Sequence, residues 1–69
     1  MDEYRIGDIL LLSEKGLNWL GHTVERRMAL SCLRFRYRCI TRNHPKCITV
    51  VRVPSGAYET YHHSFLEKE

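Results

Sequence analysis

The chain has 69 residues, of which 43% are hydrophobic and 28% charged, and its formal net charge is +3. This length allows one domain with a small core, and the composition is that of a globular rather than a disordered protein. The longest stretch without charge runs from Gly16 to Val24, whereas a membrane-spanning helix needs about 20 apolar residues. We therefore expect a single domain over residues 1–69 and no integral membrane protein.

Residues 3–20 predict a strand followed by a short helix. The apolar run at positions 9–12 follows a Gly-Asp turn signal and is typical of a strand buried on both faces. Ser13 has the character of a helix N-cap, because its hydroxyl can accept from a first-turn backbone N–H. We therefore predict a helix or 3-10 turn over residues 14–20.

The end of this helix and the segment after it are less constrained by the sequence. Gly21 suits the left-handed conformation that ends many helices, and Trp19 and Leu20 are expected to face the core. Residues 23–32 contain strong helix formers at helical spacing. A second helix is therefore an open alternative there, beside strand and loop.

Residues 33–53 predict a β-hairpin. Apolar residues at 33, 35, 37 and 39 alternate with arginines, which is the period of a half-buried strand. Turn residues follow at 42–45, and the segment 46–53 is rich in β-branched residues. If the loop spans residues 41–45, Cys39 and Cys47 face each other across the hairpin.

The C-terminal part predicts a turn, a short strand and a final turn. The turn falls at residues 54–56, the strand at 58–61 and the final turn at 62–65. His62 and His63 are neighbours on what reads as an extended segment, so their rings are expected to point to opposite sides. We do not expect the two to share a metal ion.

The three cysteines, Cys32, Cys39 and Cys47, cannot all pair within one chain. They are interpreted as core or sheet thiols in a reducing, cytoplasmic setting. Zinc is the alternative, because Cys39, His44 and Cys47 have C-x4-H-x2-C spacing, but this spacing supplies three ligands rather than four. We expect no metal and no cofactor.

The N-terminus is acidic, whereas an export signal begins with a basic segment followed by an apolar one. The sequence therefore predicts no export signal.

The positive charge is concentrated in the middle of the chain. Residues 26–58 contain eight basic side chains and no acidic one, whereas residues 1–25 and 59–69 carry net charges of −3 and −2. On a regular strand Arg34, Arg36 and Arg38 would form a ridge along one face. The candidate binding residues are Arg26, Arg27, Arg34, Arg36, Arg38, Arg42, Lys46 and Arg52.

Catalytic motifs are missing from the sequence. There is no G-x-S-x-G elbow, no phosphate-binding glycine loop and no H-E-x-x-H, and a core this small leaves little room for a desolvated pocket. The prediction is therefore a protein that is not an enzyme and has no small-molecule substrate.

The two ends of the chain resemble one family. Residues 4–16 read YRIGDILLLSEKG and residues 58–67 read YETYHHSFLE. They are similar to the G-D-x-V-x-L-S start and the Y-H-x-x-[FY]-L-E finish of small Src-homology-3-like barrel proteins of phage and prophage genomes, which are related to the KOW class. The middle departs from that pattern, since residues 27–32 replace the usual Gly-Thr-Val start of the second strand.

The resemblance implies a mostly β protein, a five-stranded and strongly bent antiparallel barrel with a short helix or 3-10 turn after the first strand. It also implies that Tyr61, Phe65 and Leu66 plug the barrel. The alternative is an α+β fold with a second helix at about 23–32. Such barrels bind nucleic acid in some families and protein segments in others.

The arginine-rich hairpin predicts an anionic partner. Nucleic acid, DNA or RNA, or a nucleoprotein complex is the first expectation, because arginines bind phosphates in bidentate fashion. The alternative is a phage-encoded inhibitor or adaptor that docks an acidic protein surface in the host cytoplasm. A third interpretation assigns the arginines no binding function. In it they pair with acidic side chains of the same chain on a solvent-exposed face of the sheet.

Overall fold

The computed structural model describes residues 4–69, so the acidic residues Asp2 and Glu3 of the N-terminus lie outside the described part. It contains five strands, two α-helices and one 3-10 helix. In chain order they are β1 Ile9–Leu12, α1 Glu14–Leu20, α2 Val24–Ser31, β2 Arg34–Ile40, β3 Cys47–Val53, β4 Tyr58–His62, the 3-10 helix His63–Phe65 and β5 Leu66–Lys68. The predicted small, mostly β fold is confirmed.

The five strands form one antiparallel sheet in the order β4-β3-β2-β1-β5. The two edge strands follow each other in the chain, with only the 3-10 helix between them. Edge strands of a flat five-stranded sheet would be roughly 19 Å apart, but the chain from His62 to Leu66 spans at most about 14 Å. The sheet must therefore curl.

Curling does not join the two edges. No hydrogen-bonded ladder links β4 to β5 within residues 4–69, so both remain edges of an open sheet. The predicted five-stranded antiparallel sheet is confirmed, whereas the prediction that it closes into a barrel is wrong. The second-helix alternative is also realised, because α2 occupies the segment that was left open between helix, strand and loop.

The core lies on one face of the sheet and is covered by the helices. Leu17, Leu20 and Leu30 of the two helices pack against it. Its buried side chains are Leu10, Leu12, Phe35, Tyr37, Ile48, Val50 and Leu66. The expectation that β1 is fully buried on both faces is wrong, since Ile9 and Leu11 on its other face are only half-buried.

Helix α1 is attached to the 3-10 helix by its N-terminal residues. Ser13 is the N-cap, as predicted, and its Oγ accepts from Gly16 N at 3.2 Å. The same hydroxyl donates to Ser64 O at 2.6 Å, and Ser13 N donates to Phe65 O at 2.8 Å. Gly16 is buried, and a Cβ on it would lie 2.4 Å from Phe65 O. This contact requires glycine.

The end of α1 differs from the sequence prediction in two ways. Gly21 has φ −103° rather than a left-handed value, so that prediction is wrong. Glycine is required there for space, because a Cβ would lie 2.5 Å from Arg27 Cγ and 2.9 Å from Leu17 O. Trp19 does not face the core, since 64% of it is exposed, whereas Leu20 packs against the core as expected.

Helix α2 lies on the surface and is capped like α1. Thr23 is its N-cap, and Thr23 Oγ1 accepts from Arg26 N at 3.1 Å. None of its residues is fully buried, and Leu30 is its contact with the core. No helix in the described residues is both long and apolar enough to cross a bilayer.

The β2–β3 hairpin contains a bulge that the alternating pattern did not indicate. Tyr37 pairs with Val50, but the next pair is Cys39 with Thr49, which leaves Arg38 as an extra residue on β2. Cys39 therefore does not face Cys47, and that prediction is wrong. Cys32 and Cys39 are also exposed, so neither is a core thiol.

We expect Gly16→Ala to lower the free energy of unfolding by about 1–3 kcal/mol, because the new Cβ would press against the Phe65 carbonyl. The loss should appear although alanine favours helices over glycine by about 1 kcal/mol. Urea unfolding measures it, with Lys15→Ala as the control at an exposed site of the same helix. A Gly16→Ala protein as stable as the wild type would contradict the tight contact.

Candidate functional site

The face of the sheet opposite the core carries one row of side chains across four strands. Ile9 pairs with Arg36, Arg36 with Val51, and Val51 with Tyr58. Residues directly opposite each other in antiparallel pairs lie on the same face, so these four side chains form a line. Arg36 is exposed and Tyr58 is 61% exposed. The row therefore presents a cation and an aromatic ring to solvent.

The bulge adds a second arginine to this row. The Arg38 guanidinium carbon lies 5.3 Å from the centre of the Tyr58 ring, which is a cation–π distance. Among residues 4–69, neither Arg36 nor Arg38 forms an ion pair with a carboxylate. We call Arg36, Arg38 and Tyr58 the outer-face cluster.

Arg34, the third arginine of the predicted ridge, has a structural role instead. Its Nε contacts Glu69 Oε2 at 2.9 Å, and its Nη1 donates to the carbonyls of Ser31 and Leu33 at 3.0 and 2.9 Å. These contacts tie the start of β2 to the C-terminus and to the end of α2. Arg34 therefore differs from Arg36 and Arg38, which have no carboxylate partner in the described residues.

Arg52 lies on the core face, because it pairs across the ladder with the buried Phe35. Its Nε contacts Glu59 Oε2 at 2.6 Å, its Nη2 donates to Glu59 Oε1 at 2.9 Å, and Tyr61 Oη donates to the same carboxylate. The hydrogen bond to Glu59 raises the pKa of Arg52. Burial, followed by Glu59, raises the pKa of Tyr61. Arg52 is thus bound within the protein.

The other predicted basic residues lie in two places. Arg26 and Arg27 are on α2, where Arg26 Nε donates to Leu20 O at 3.2 Å and Arg27 Nη2 contacts Glu14 Oε1 at 3.2 Å. Arg42 and Lys46 lie exposed in the β2–β3 loop. The eight predicted residues therefore do not form one patch, since the helices cover the opposite face of the sheet from the outer-face cluster.

The sequence reasoning missed a group of rings where α1 meets the 3-10 helix. The His62 and His63 rings stack with centroids 4.5 Å apart and planes 28° apart, so the expectation of opposite directions is wrong. The Phe65 ring lies 6.0 Å from His62 and 6.1 Å from Trp19. Four aromatic rings therefore follow one another at contact distance.

The capping role of His62 explains the stacking. His62 is the N-cap of the 3-10 helix, and its Nδ1 accepts from Ser64 N at 3.2 Å and lies 2.7 Å from Ser64 Oγ. The chain leaves the extended conformation at this point, so the alternation of side chains that holds in a strand no longer applies. The turn predicted at residues 62–65 was the one signal in the sequence that could have indicated this.

The surroundings of His62 are positively charged. Burial lowers the pKa of His62, and the positive charges of His63, Lys15 and Lys46 lower it further. Within the described residues, Lys15 and Lys46 form no ion pair with a carboxylate. This corner of the molecule therefore combines aromatic rings with unneutralised cations.

Residues 4–69 contain no group of three or more His, Cys, Asp or Glu side chains placed to hold a metal ion. Comparison of the chain with protein-family models, with curated proteins and with solved structures finds no match. The arguments about function therefore rest on the geometry and charge of the two surfaces described above.

Substitution of the internally bound Arg52 should destabilise the fold more than substitution of the exposed Arg36. Arg52→Ala leaves the partly buried Glu59 without its cation and should lower the free energy of unfolding by about 1–2 kcal/mol. Arg36→Ala removes an exposed charge and should change it by no more than about 0.5 kcal/mol. Urea unfolding of both variants tests this, and equal losses would contradict the division.

The positive charges around His62 should affect its titration. We expect NMR to show His62 titrating below the ordinary value of 6.5, and Lys46→Ala or Lys15→Ala to raise its pKa toward that value. Because the unfolded state then binds the proton more tightly, His62 should make the fold less stable as the pH falls below 6.5. A pKa that neither lysine substitution moves would contradict the described surroundings.

Proposed function

We propose that this protein is a noncatalytic module that binds nucleic acid, DNA or RNA, alone or in a nucleoprotein complex, through the outer face of its sheet. The observation that carries the proposal is the outer-face cluster. Arg36 and Arg38 are exposed without a carboxylate partner in the described residues; Arg38 lies beside the exposed Tyr58, and Arg36 lies in the same row with Val51 between it and Tyr58. Guanidinium groups bind phosphate oxygens in bidentate fashion, and an exposed aromatic ring can stack on a base.

The charge distribution of the hairpin supports the same partner. Arg42 and Lys46 extend the positive charge from β2 into the loop, and residues 26–58 contain no acidic residue that could neutralise them. Each phosphate that such cations neutralise releases condensed counterions, and this release favours binding at low salt. A polyanion with regularly spaced charges is therefore a better match than a small anion.

The resemblance of the chain ends to small phage Src-homology-3-like barrels supports a binding role rather than catalysis. We propose a cytoplasmic location, which would be the host cytoplasm for a phage-encoded protein. The exposed free thiols of Cys32 and Cys39 suit a reducing compartment.

Fluorescence anisotropy of labelled single-stranded and duplex DNA and RNA over a series of salt concentrations tests the proposal. The logarithm of the affinity should fall linearly with the logarithm of salt concentration, with a slope near −0.9 for each duplex phosphate contacted, about −0.7 for single strands. Arg36→Ala and Arg38→Ala should each weaken binding about tenfold. Each should also lower the slope by about one.

Arg26→Ala is the matched control, because it removes the same charge from the helical layer rather than from the outer face. It should weaken binding less than about threefold, since charges more than about 10 Å from the ligand are largely screened at 0.1 M salt. Absence of binding to every nucleic acid at low salt would refute the proposal. The basic hairpin would then serve as bait for an acidic protein, the alternative partner.

A further inference from the structure

We infer that the corner between α1 and the 3-10 helix is a second nucleic-acid contact, one that stacks an unpaired base on Trp19 and holds the adjoining phosphates with Lys15 and Lys46. The His62 ring of this stacking corner is at the opposite end of β4 from Tyr58 of the outer-face cluster. The inference deepens the proposed function and rests on it, because both take the ligand to be nucleic acid.

Trp19 is placed to receive a base. One side of its indole is supported by Phe65, whose ring centre lies 6.1 Å away, and yet 64% of the residue is exposed. The His62 and His63 rings continue the series beyond Phe65. A base that stacks on the free face of Trp19 would extend an existing row of rings. Burying this tryptophan in the core would have been the ordinary use of so large an apolar side chain.

Two lysines border the rings from different elements. Lys15 is four residues before Trp19 on α1, which places the two side chains next to each other on one helix face. Lys46 comes directly before β3, and its carbonyl oxygen accepts from His63 N at 2.9 Å. Both lysines contribute to the positive field at His62.

The ion pairs of residues 4–69 leave both of these lysines without a carboxylate partner, and Glu25 and Glu67 are also unpaired there. Glu14, the acidic residue nearest in sequence, contacts Arg27 at 3.2 Å on the side of α1 that faces α2. Within residues 4–69, the remaining ion pairs of acidic side chains are made with Arg34, Arg52 and Lys68. Lys15 and Lys46 are therefore left to bind an external anion.

An unpaired base fits this chemistry better than a duplex or an acidic protein segment. Stacking on an exposed indole needs a base whose face is free, which a single strand supplies and a duplex interior does not. An acidic peptide would satisfy the lysines but would leave the ring series unused. The proposed ligand is therefore single-stranded nucleic acid.

The fluorescence of Trp19, the only tryptophan in the chain, gives a direct test. Titration of the full chain with oligothymidine of about 10 nucleotides, a length within the range of single-strand sites, should quench it. A duplex of the same length and poly-glutamate should quench it much less. Equal quenching by poly-glutamate would overturn the inference in favour of an acidic protein.

Substitutions then assign the contacts. Trp19→Ala should weaken oligothymidine binding in anisotropy at least about fivefold, the lower limit for loss of base stacking, and Trp19→Phe should restore part of it. Lys15→Ala and Lys46→Ala should reduce the affinity measured by quenching. Far-UV circular dichroism checks that each variant is folded.

The outcomes separate this inference from the proposed function. Oligothymidine binding with no quenching, and unchanged in Trp19→Ala, would overturn the stacking corner and leave the outer-face cluster in place. Quenching that is lost in Lys15→Ala and Lys46→Ala but kept in Arg36→Ala would support the corner and count against the outer-face cluster. No binding of any nucleic acid in either measurement would overturn both.

Discussion

The short link between β4 and β5 is the constraint on which the rest of the structure depends. The chain must pass from one edge of the sheet to the other within the 3-10 helix, so the sheet has to curl. Helix α1 holds this link in position through the hydrogen bonds of Ser13 and through the close approach of Gly16 to Phe65 O. The core has only seven buried side chains, and it is covered by the curled sheet and by both helices. The attachment of α1 to the 3-10 helix holds part of this cover in place.

The same link produces the stacking corner. His62 caps the 3-10 helix, which turns its ring onto His63, and the attachment of α1 brings Trp19 to Phe65. The connection that bends the sheet thus also gathers aromatic rings and lysines that are distant in sequence. A structural constraint and a candidate ligand surface therefore share the same residues.

The arginines show how equal side chains acquire different roles. Arg34 and Arg52 are held by Glu69 and Glu59, and each of them ties separate elements together. Arg36 and Arg38 have no such partner in the described residues, and both lie on the open face, where Arg38 contacts the Tyr58 ring.

By itself, the sequence determined the elements whose signals are local: the Ser13 cap, the alternating strand β2, the hairpin and the final turn. It also determined the positive middle of the chain. Only the tertiary structure decided that the sheet stays open, that Trp19 is exposed and that the hairpin register places Cys39 opposite Thr49 rather than Cys47. Each of these features depends on contacts between residues that are distant in the sequence. The periodicity along one strand does not indicate which carboxylate or which ring will lie beside that strand.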